Sequence, residues 1–288
     1  MSHLKIIVPA FILSGFLIST NIAQADYQHE VNFGHAQSDY DDGATSDTNL
    51  LFYRFFFNKV STSTGPWLET PFTQRAGYIM VLTAQGSYSR PSYSSDSQTA
   101  ALFATIANPD SDFVFGLDYS QSNADINGTT SYTAKGSTYS LSIGYYVQQY
   151  TSINFDHDNN ESEFSNSSPT IENETNTISA KTLLLQNNGT AIQLFASYSK
   201  REDDDGDQFK TTRLSGGYYF NQKLGLGASL SKDSTPYSSL DSTRTGINLS
   251  YFINPQLYLS AHYSQTSYDS STTNNDSDSM QFDVAYRF

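Results

Sequence analysis

The chain has 288 residues, no cysteine, 15 Lys and Arg against 29 Asp and Glu, and a formal net charge of −14. That charge argues against a nucleic-acid binder, which needs a basic footprint, and the lack of thiols removes disulfides, thiolate zinc sites, iron–sulfur clusters and cysteine nucleophiles together. A mean hydropathy of −0.47 argues against a bundle of membrane helices, while 21 Tyr and 19 Phe are too many for a disordered chain of such low hydrophobicity.

Residues 1–25 read as a cleaved signal peptide. Lys5 supplies the positive start, Ile6 to Ile18 the apolar stretch, and Ala23-Gln24-Ala25 the small-x-small cleavage site. The apolar run is shorter than the roughly 20 residues a spanning helix needs. Residues 26–288 are then the exported chain, and they keep one rhythm: segments of about ten residues that alternate apolar and polar, the period-2 pattern of a strand with one apolar side.

In chain order the strands are expected at 27–37, 48–57, 77–88, 99–107, 112–123, 131–147 and 150–156 in the first half, and at 175–186, 190–200, 208–220, 224–232, 243–253, 257–268 and 279–288 in the second. The last is the clearest. Met280, Phe282, Val284, Tyr286 and Phe288 share one face, and Gln281, Asp283, Ala285 and Arg287 the other. Phe113-Phe115-Leu117-Tyr119 and Leu224-Leu226-Ala228-Leu230 repeat the scheme. Two kinds of connection alternate. Tight ones carry turn chemistry at Asn108-Pro109-Asp110, Gln148-Gln149, Asn187-Asn188-Gly189, Asn221-Gln222-Lys223 and Asn254-Pro255-Gln256. Longer acidic ones are expected at about 38–47, 89–98, 124–130, 157–174, 201–207, 233–242 and 269–278.

Alternating short turns and long loops, with aromatic side chains near the ends of the apolar faces, describe a transmembrane antiparallel up-and-down β-barrel. The expectation is an all-β fold of about 14 strands, with about 12 or 16 as alternatives, both termini on the short-turn side, in the outer membrane of a Gram-negative bacterium. A soluble β-sandwich also alternates, but its polar face meets bulk water and does not need the small, Gly-, Ser-, Asn- and Gln-rich character of these polar faces. Ending on an outward aromatic, Phe288, is the kind of signature the barrel-assembly machinery reads.

Charges within strands fall on the polar face: Glu30, Arg54, Asp118, Lys181, Arg213, Asp283 and Arg287. A Lys or Arg facing lipid at mid-membrane costs about 2–4 kcal/mol, so these side chains are expected to line the lumen. There they either set an ion preference through a transverse field or pair off and brace the interior. Most other carboxylates cluster in the long connections, with Asp41 and Asp42 in one and Glu202, Asp203, Asp204, Asp205 and Asp207 in another. They are solvated loops, or an acidic vestibule that concentrates cations and binds lipopolysaccharide phosphates through divalent ions. Asp203-Asp204-Asp205-Gly206-Asp207 lacks the EF-hand pattern. Connection 157–174 is the longest and a candidate for an inward-folding constriction.

No catalytic, cofactor or metal constellation emerges. His262 and Ser264 share a polar face two residues apart, but no acid stands at a diagnostic spacing. His29 and His35 share a strand face, and His157 falls in an expected loop. P-loop, dinucleotide-binding, HExxH and GxSxG motifs are absent.

Residues 52–82 read FYRFFFNKVSTSTGPWLETPFTQRAGYIMVL. This stretch resembles the proteobacterial general porin family, in which an aromatic strand ends in Tyr-Tyr-Phe, then Pro-Val, a short polar spacer and a Pro-Leu-Ala-Glu-Ala-Ala-Phe-like stretch. Phe55-Phe56-Phe57, Val60, Pro66, Trp67, Leu68, Glu69 and Phe72 hold comparable places, whereas Lys59 stands where the family has Pro and Thr70-Pro71 departs from the Ala-Ala core. The resemblance implies an outer-membrane pore without catalytic residues. It also implies a long connection at 58–76 on the rim otherwise made of tight turns. The expected function is passive diffusion of small hydrophilic solutes and ions, with a cation bias. A closed barrel serving as surface structure, adhesin or phage receptor is the alternative, and a hydrolase the third reading. Expected partners are outer-membrane lipids and lipopolysaccharide, the assembly machinery and small solutes. No residue pattern marks a subunit interface.

Overall fold

A computed structural model describes residues 26–63, 65–166, 170–186, 190–236, 241–269 and 276–288. The expected signal segment 1–25 and the turn at 187–189 lie outside the described residues. Fourteen antiparallel strands close into one barrel, each paired with its sequence neighbours. They are β1 (Tyr27–Tyr40), β2 (Thr45–Val60), β3 (Tyr78–Arg90), β4 (Tyr93–Ala107), β5 (Phe113–Asn127), β6 (Tyr132–Gln148), β7 (Thr151–Phe164), β8 (Ile171–Leu185), β9 (Ala191–Asp203), β10 (Gln208–Tyr219), β11 (Leu224–Ser234), β12 (Ser242–Phe252), β13 (Leu257–Tyr268) and β14 (Ser277–Arg287). β14 closes on β1 from Glu30↔Arg287 to Tyr40↔Ser277, and the Phe288 carbonyl accepts the Gln28 and His29 amides. Closure leaves no unpaired edge, which is what a lipid-exposed sheet requires.

The outer face explains why the barrel must sit in lipid. Large apolar side chains point outward and remain open, such as Leu117 at 58%, Leu141 at 61% and Ile143 at 45% exposure. A continuous apolar belt of this kind has no place on a soluble surface. Tyrosines mark its loop-side margin, where Tyr119 and Tyr139 face each other with ring centroids 4.8 Å apart. Phe113 against Tyr145 and Tyr218 against Phe220 mark the turn-side margin.

The long acidic connections are mostly strand. The 157–174 segment continues β7 to Phe164 and β8 from Ile171, with pairing held through Ser162↔Ile171. Residues 157–164 and 171–174 therefore form wall and not an inward constriction, and His157 lies within β7. The 89–98 connection shrinks to Pro91-Ser92, and 201–207 to the turn 204–207. Outside lipid the apolar dyad is no longer needed, yet both edges of every strand still find hydrogen-bonding neighbours, so the ladder continues. Polar side chains sew it together inside: Thr138 donates to Asn160 at 2.7 Å, and Asn160 to Asn173 at 3.0 Å.

The one extended connection on the turn side is 61–77. It carries a 3-10 turn at Trp67–Glu69 and a single helical turn, α1, at Thr70–Thr73. Pro66 and Pro71 stand at the starts of these two turns, where a missing amide hydrogen costs nothing.

Candidate functional site: the lumen and its inward-folded segment

Segment 61–77 leaves the wall at β2 and returns at β3, yet its middle touches the far side. The Trp67 amide donates to the Gln222 carbonyl beside β11 at 2.9 Å. Its ring meets Phe252 of β12 edge-on at 5.6 Å and clusters with Tyr258 and Ala285. The Trp67 indole N–H donates back to the Thr62 carbonyl at 3.0 Å, which closes the segment on itself. Glu69 accepts a hydrogen bond from the Tyr219 hydroxyl at 2.7 Å, and the Lys181 ammonium lies 2.7 Å from its other oxygen. Lys181 sits on β8 and Tyr219 on β10, half-way round a 14-stranded ring from β2. The segment therefore crosses the lumen.

The remaining contacts fix it in place. Lys181 also stands 4.5 Å over the Phe72 ring, and the Tyr146 hydroxyl donates to the Phe72 carbonyl at 3.1 Å. Thr70 donates to the Trp67 carbonyl and meets the Tyr27 hydroxyl at 3.1 Å. Arg75 leaves α1 with φ 50°, a left-handed turn that a non-glycine residue adopts at some cost. That conformation lays its guanidinium 4.4 Å over Tyr146 and 2.9 Å from Asp112.

Beneath the segment lies a buried ionic group on β1, β2 and β14. Arg287 donates to Glu30 at 2.6 Å and to the Trp67 carbonyl at 2.7 Å, and Arg54 reaches the other Glu30 oxygen at 3.3 Å. Arg287 is 2% exposed and Glu30 1%. The rings of Tyr27, Phe252 and Tyr258 surround the Arg287 guanidinium within 4.6–5.4 Å. Such a dry charge is tolerable only because each face of it is answered by a carboxylate, a carbonyl or an aromatic ring.

The other charged positions lie differently. Asp283 accepts from Ser260 at 2.9 Å and from Gln281 at 3.0 Å. Gly34 leaves the room it needs, because a Cβ there would clash with the Asp283 carboxylate. Asp118 on β5 and Arg213 on β10 are on the loop side of the lumen, and neither forms an ion pair among the described residues. Two neighbours, Asp156 and Asp158 on β7, join Asp118 on that wall; Asp158 lies beyond the expected strand 150–156, and Asp156 is its last residue and is not among the expected lumen charges. Arg201 of β9 projects to the same side, 4.0 Å over Phe209 and 3.1 Å from Asp203.

The acidic loop residues separate into distinct places. Asp41 and Asp42 lie in the β1–β2 turn, where Asp42 accepts the Ala44 amide at 3.0 Å and stands 3.9 Å from Arg90. Asp204, Asp205 and Asp207 form the β9–β10 turn, on the far side of the rim. Gly206 supplies its φ of +81°, and Asp204 accepts the Glu172 amide at 3.0 Å. Glu202 points to the outer wall against Lys200 at 3.1 Å. His262 and Ser264 share the inner face of β13 without a hydrogen bond between them, and no group of three metal-ligating side chains occurs among the described residues.

No protein-family profile matches the sequence, and no curated protein matches it. Solved structures do share the fold. The outer membrane protein Omp33 of Acinetobacter baumannii superposes with a TM-score of 0.58 at 16% identity, covering 92% of this chain and 100% of that one. CdiB from Acinetobacter baumannii gives 0.54 at 7% identity, covering 91% of this chain and 61% of that one. A deletion mutant of the TodX monoaromatic hydrocarbon channel gives 0.53 at 8% identity, covering 92% and 91%. Closed ring, apolar belt and aromatic margins together make the chain a 14-stranded transmembrane-type antiparallel β-barrel, the fold it shares with these outer-membrane proteins.

Proposed function

We propose that the protein is an outer-membrane channel for small hydrophilic solutes and ions, with a wide polar entrance on the loop side and a throat on the turn side built by segment 61–77. The observation that carries this reading is the crossing of the lumen by Trp67–Phe72, anchored on β8, β10, β12 and β14. A barrel this size has room for an aqueous path, since 14 strands fall between side-chain-filled barrels and the 16–18-stranded porins. The residues lining a recess in its loop-side half are mostly hydroxyls, carboxylates and guanidiniums. The solved neighbours include proteins titled as an outer membrane protein and a hydrocarbon channel, which agrees with transport as the use of the fold.

Ion preference follows from the loop-side wall more than from the acidic turns. Asp118, Asp156 and Asp158 against Arg201 and Arg213 leave an acidic excess where solutes enter, which favours cations. Export by the 1–25 signal, insertion through the Phe288-terminated strand and contact with lipopolysaccharide complete the reading. No residue in it acts as a catalyst or holds a cofactor.

The same throat supports a second reading. If Trp67–Phe72 seals the lumen permanently, the barrel is a surface structure or receptor that displays its loop-side turns. Single-channel recording of the refolded chain in a planar bilayer, under a potassium chloride gradient, separates the two. Stepwise conductance with a cation-selective reversal potential is the outcome of the channel reading. A folded, inserted barrel with no conductance, before and after disruption of the Glu69 anchor, belongs to the sealed one.

A further inference from the structure

A recess of about 430 Å³ opens in the loop-side half of the inner wall, formed by β7, β8, β9 and β10. One flank carries Asp156 and Asp158, and the other Arg201 and Arg213. The floor between them is mostly hydroxyl, with Thr175, Thr177 and Ser179 on β8 and Ser197 and Ser199 on β9, and the rings of Phe195 and Phe209 also line the recess. Asp156 faces Thr177, which faces Ser199, which faces Thr211 on β10. Asp156 and Arg213 thus stand on strands three interstrand steps apart, roughly 14 Å between backbones, with Arg201 on β9 one step nearer. The reach of an aspartate on one side and an arginine on the other shortens that gap to the length of a small molecule.

Three of these four charges have no ionic partner among the described residues. Among the described residues no cation is in ion-pair range of Asp156 or Asp158, and Arg213 makes neither an ion pair nor a hydrogen bond. Arg201 is held by Asp203 and the Phe209 ring, so the basic flank keeps one oriented guanidinium beside one free one. Like charges side by side disfavour the empty state, and the carboxylates do not converge as metal ligands. A neutral sugar leaves both flanks bare. A simple cation answers one flank and meets repulsion at the other, as does a simple anion. A molecule with an ammonium at one end and a carboxylate at the other answers both.

We propose that this recess binds a zwitterion of amino-acid to dipeptide size, its ammonium on Asp156 and Asp158, its carboxylate on Arg213 and, in a dipeptide, its amide against the β8–β9 hydroxyls. The inference rests on the channel reading for the route by which the ligand arrives. Its test does not need conduction. Alanyl-alanine is titrated by calorimetry into the folded full barrel in detergent, beside its N-acetylated and C-amidated forms. Each blocked form is expected to bind about tenfold more weakly, the scale of a lost charge-assisted contact in a wet site. In D156N/D158N the acetylated form is expected to lose its disadvantage, and in R213Q the amidated form loses its own. Equal binding of all three peptides overturns the proposal, and so does no heat at millimolar peptide or an unchanged preference in both variants. Heat-modifiable migration verifies that each variant is folded. Conductance of the same preparation in potassium chloride is read separately. Binding without conductance sinks the channel and keeps the site, whereas conductance without binding does the reverse.

Discussion

The two halves of the lumen use charge in opposite ways. On the turn side Glu30, Arg287, Lys181 and Glu69 are paired at 2.6–2.7 Å and hemmed in by aromatic rings, and all but the half-buried Lys181 are nearly dry. On the loop side Asp118, Asp156, Asp158 and Arg213 belong to the same strand faces but have no ionic partner among the described residues. The face of the strand is identical in both places. What differs is the presence of segment 61–77, which fills the turn-side half, expels water there and turns wall charges into anchors. A charge on a barrel's inner face is thus structural or functional according to what occupies the lumen at its level.

The largest effect expected from this contrast is on stability. Glu30→Gln leaves Arg287 buried without its carboxylate and is expected to cost about 3–5 kcal/mol. Arg213→Gln, on the same inner face but in water, should stay within about 0.5 kcal/mol. Urea unfolding followed by heat-modifiable migration compares the two, and equal costs would erase the distinction between dry and wet halves. Next comes the throat. Glu69→Ala removes the acceptor for Tyr219 and the counter-ion of Lys181, and the inward segment loses its anchor on β8 and β10. Single-channel conductance is expected to rise severalfold, with longer open times, while strand content by circular dichroism stays unchanged. Lys181→Met keeps the packing on Phe72 and is expected to give a smaller rise.

Selectivity sharpens the comparison further. Asp156→Asn with Asp158→Asn should move the reversal potential toward anions, and Arg213→Gln should move it the other way. Both shifts should fade as salt approaches 1 M, where screening length falls to about 3 Å. Asp283→Asn, whose carboxylate is already occupied by Ser260 and Gln281, is expected to leave the potential nearly unchanged.

These contrasts show which parts of the molecule a sequence can reveal. All fourteen strands were legible because lipid enforces a period of 2 on one face, and Met280 to Phe288 displays it without interruption. The strand extensions were not. Asn159 to Glu163 carries no apolar dyad, and only the neighbouring ladders hold it as strand. Asp158 lies in the extension of β7, whereas Asp156 ends the expected strand and only the pairing with β6 and β8 shows it to face the lumen. The connection after β2 stood out in sequence as a long, Pro-, Trp- and Phe-bearing stretch on a rim of tight turns. Its anchors did not, because Lys181, Tyr219 and Arg287 lie more than 100 residues further along the chain and only barrel closure brings them to Glu69 and Trp67. The acidic run from Glu202 to Asp207 looked uniform, yet the pleat sends Glu202 outward and Asp203 inward.

That last split sets the smallest effect. Glu202 and Lys200 form an exposed pair on the outer wall, 3.1 Å apart and two residues apart on one strand. Pairs of this kind contribute about 0–1 kcal/mol and are screened by salt. Glu202→Gln is expected to change unfolding by less than about 0.5 kcal/mol and to leave the reversal potential where it was, because its charge is shielded from the lumen by the barrel wall. Asp203→Asn, one residue on, frees the Arg201 guanidinium on the inner side and should move the potential toward anions. Adjacent acids of the same cluster then differ in their effect on current, and a matching shift from both would return the selectivity to the loop-side rim as a whole.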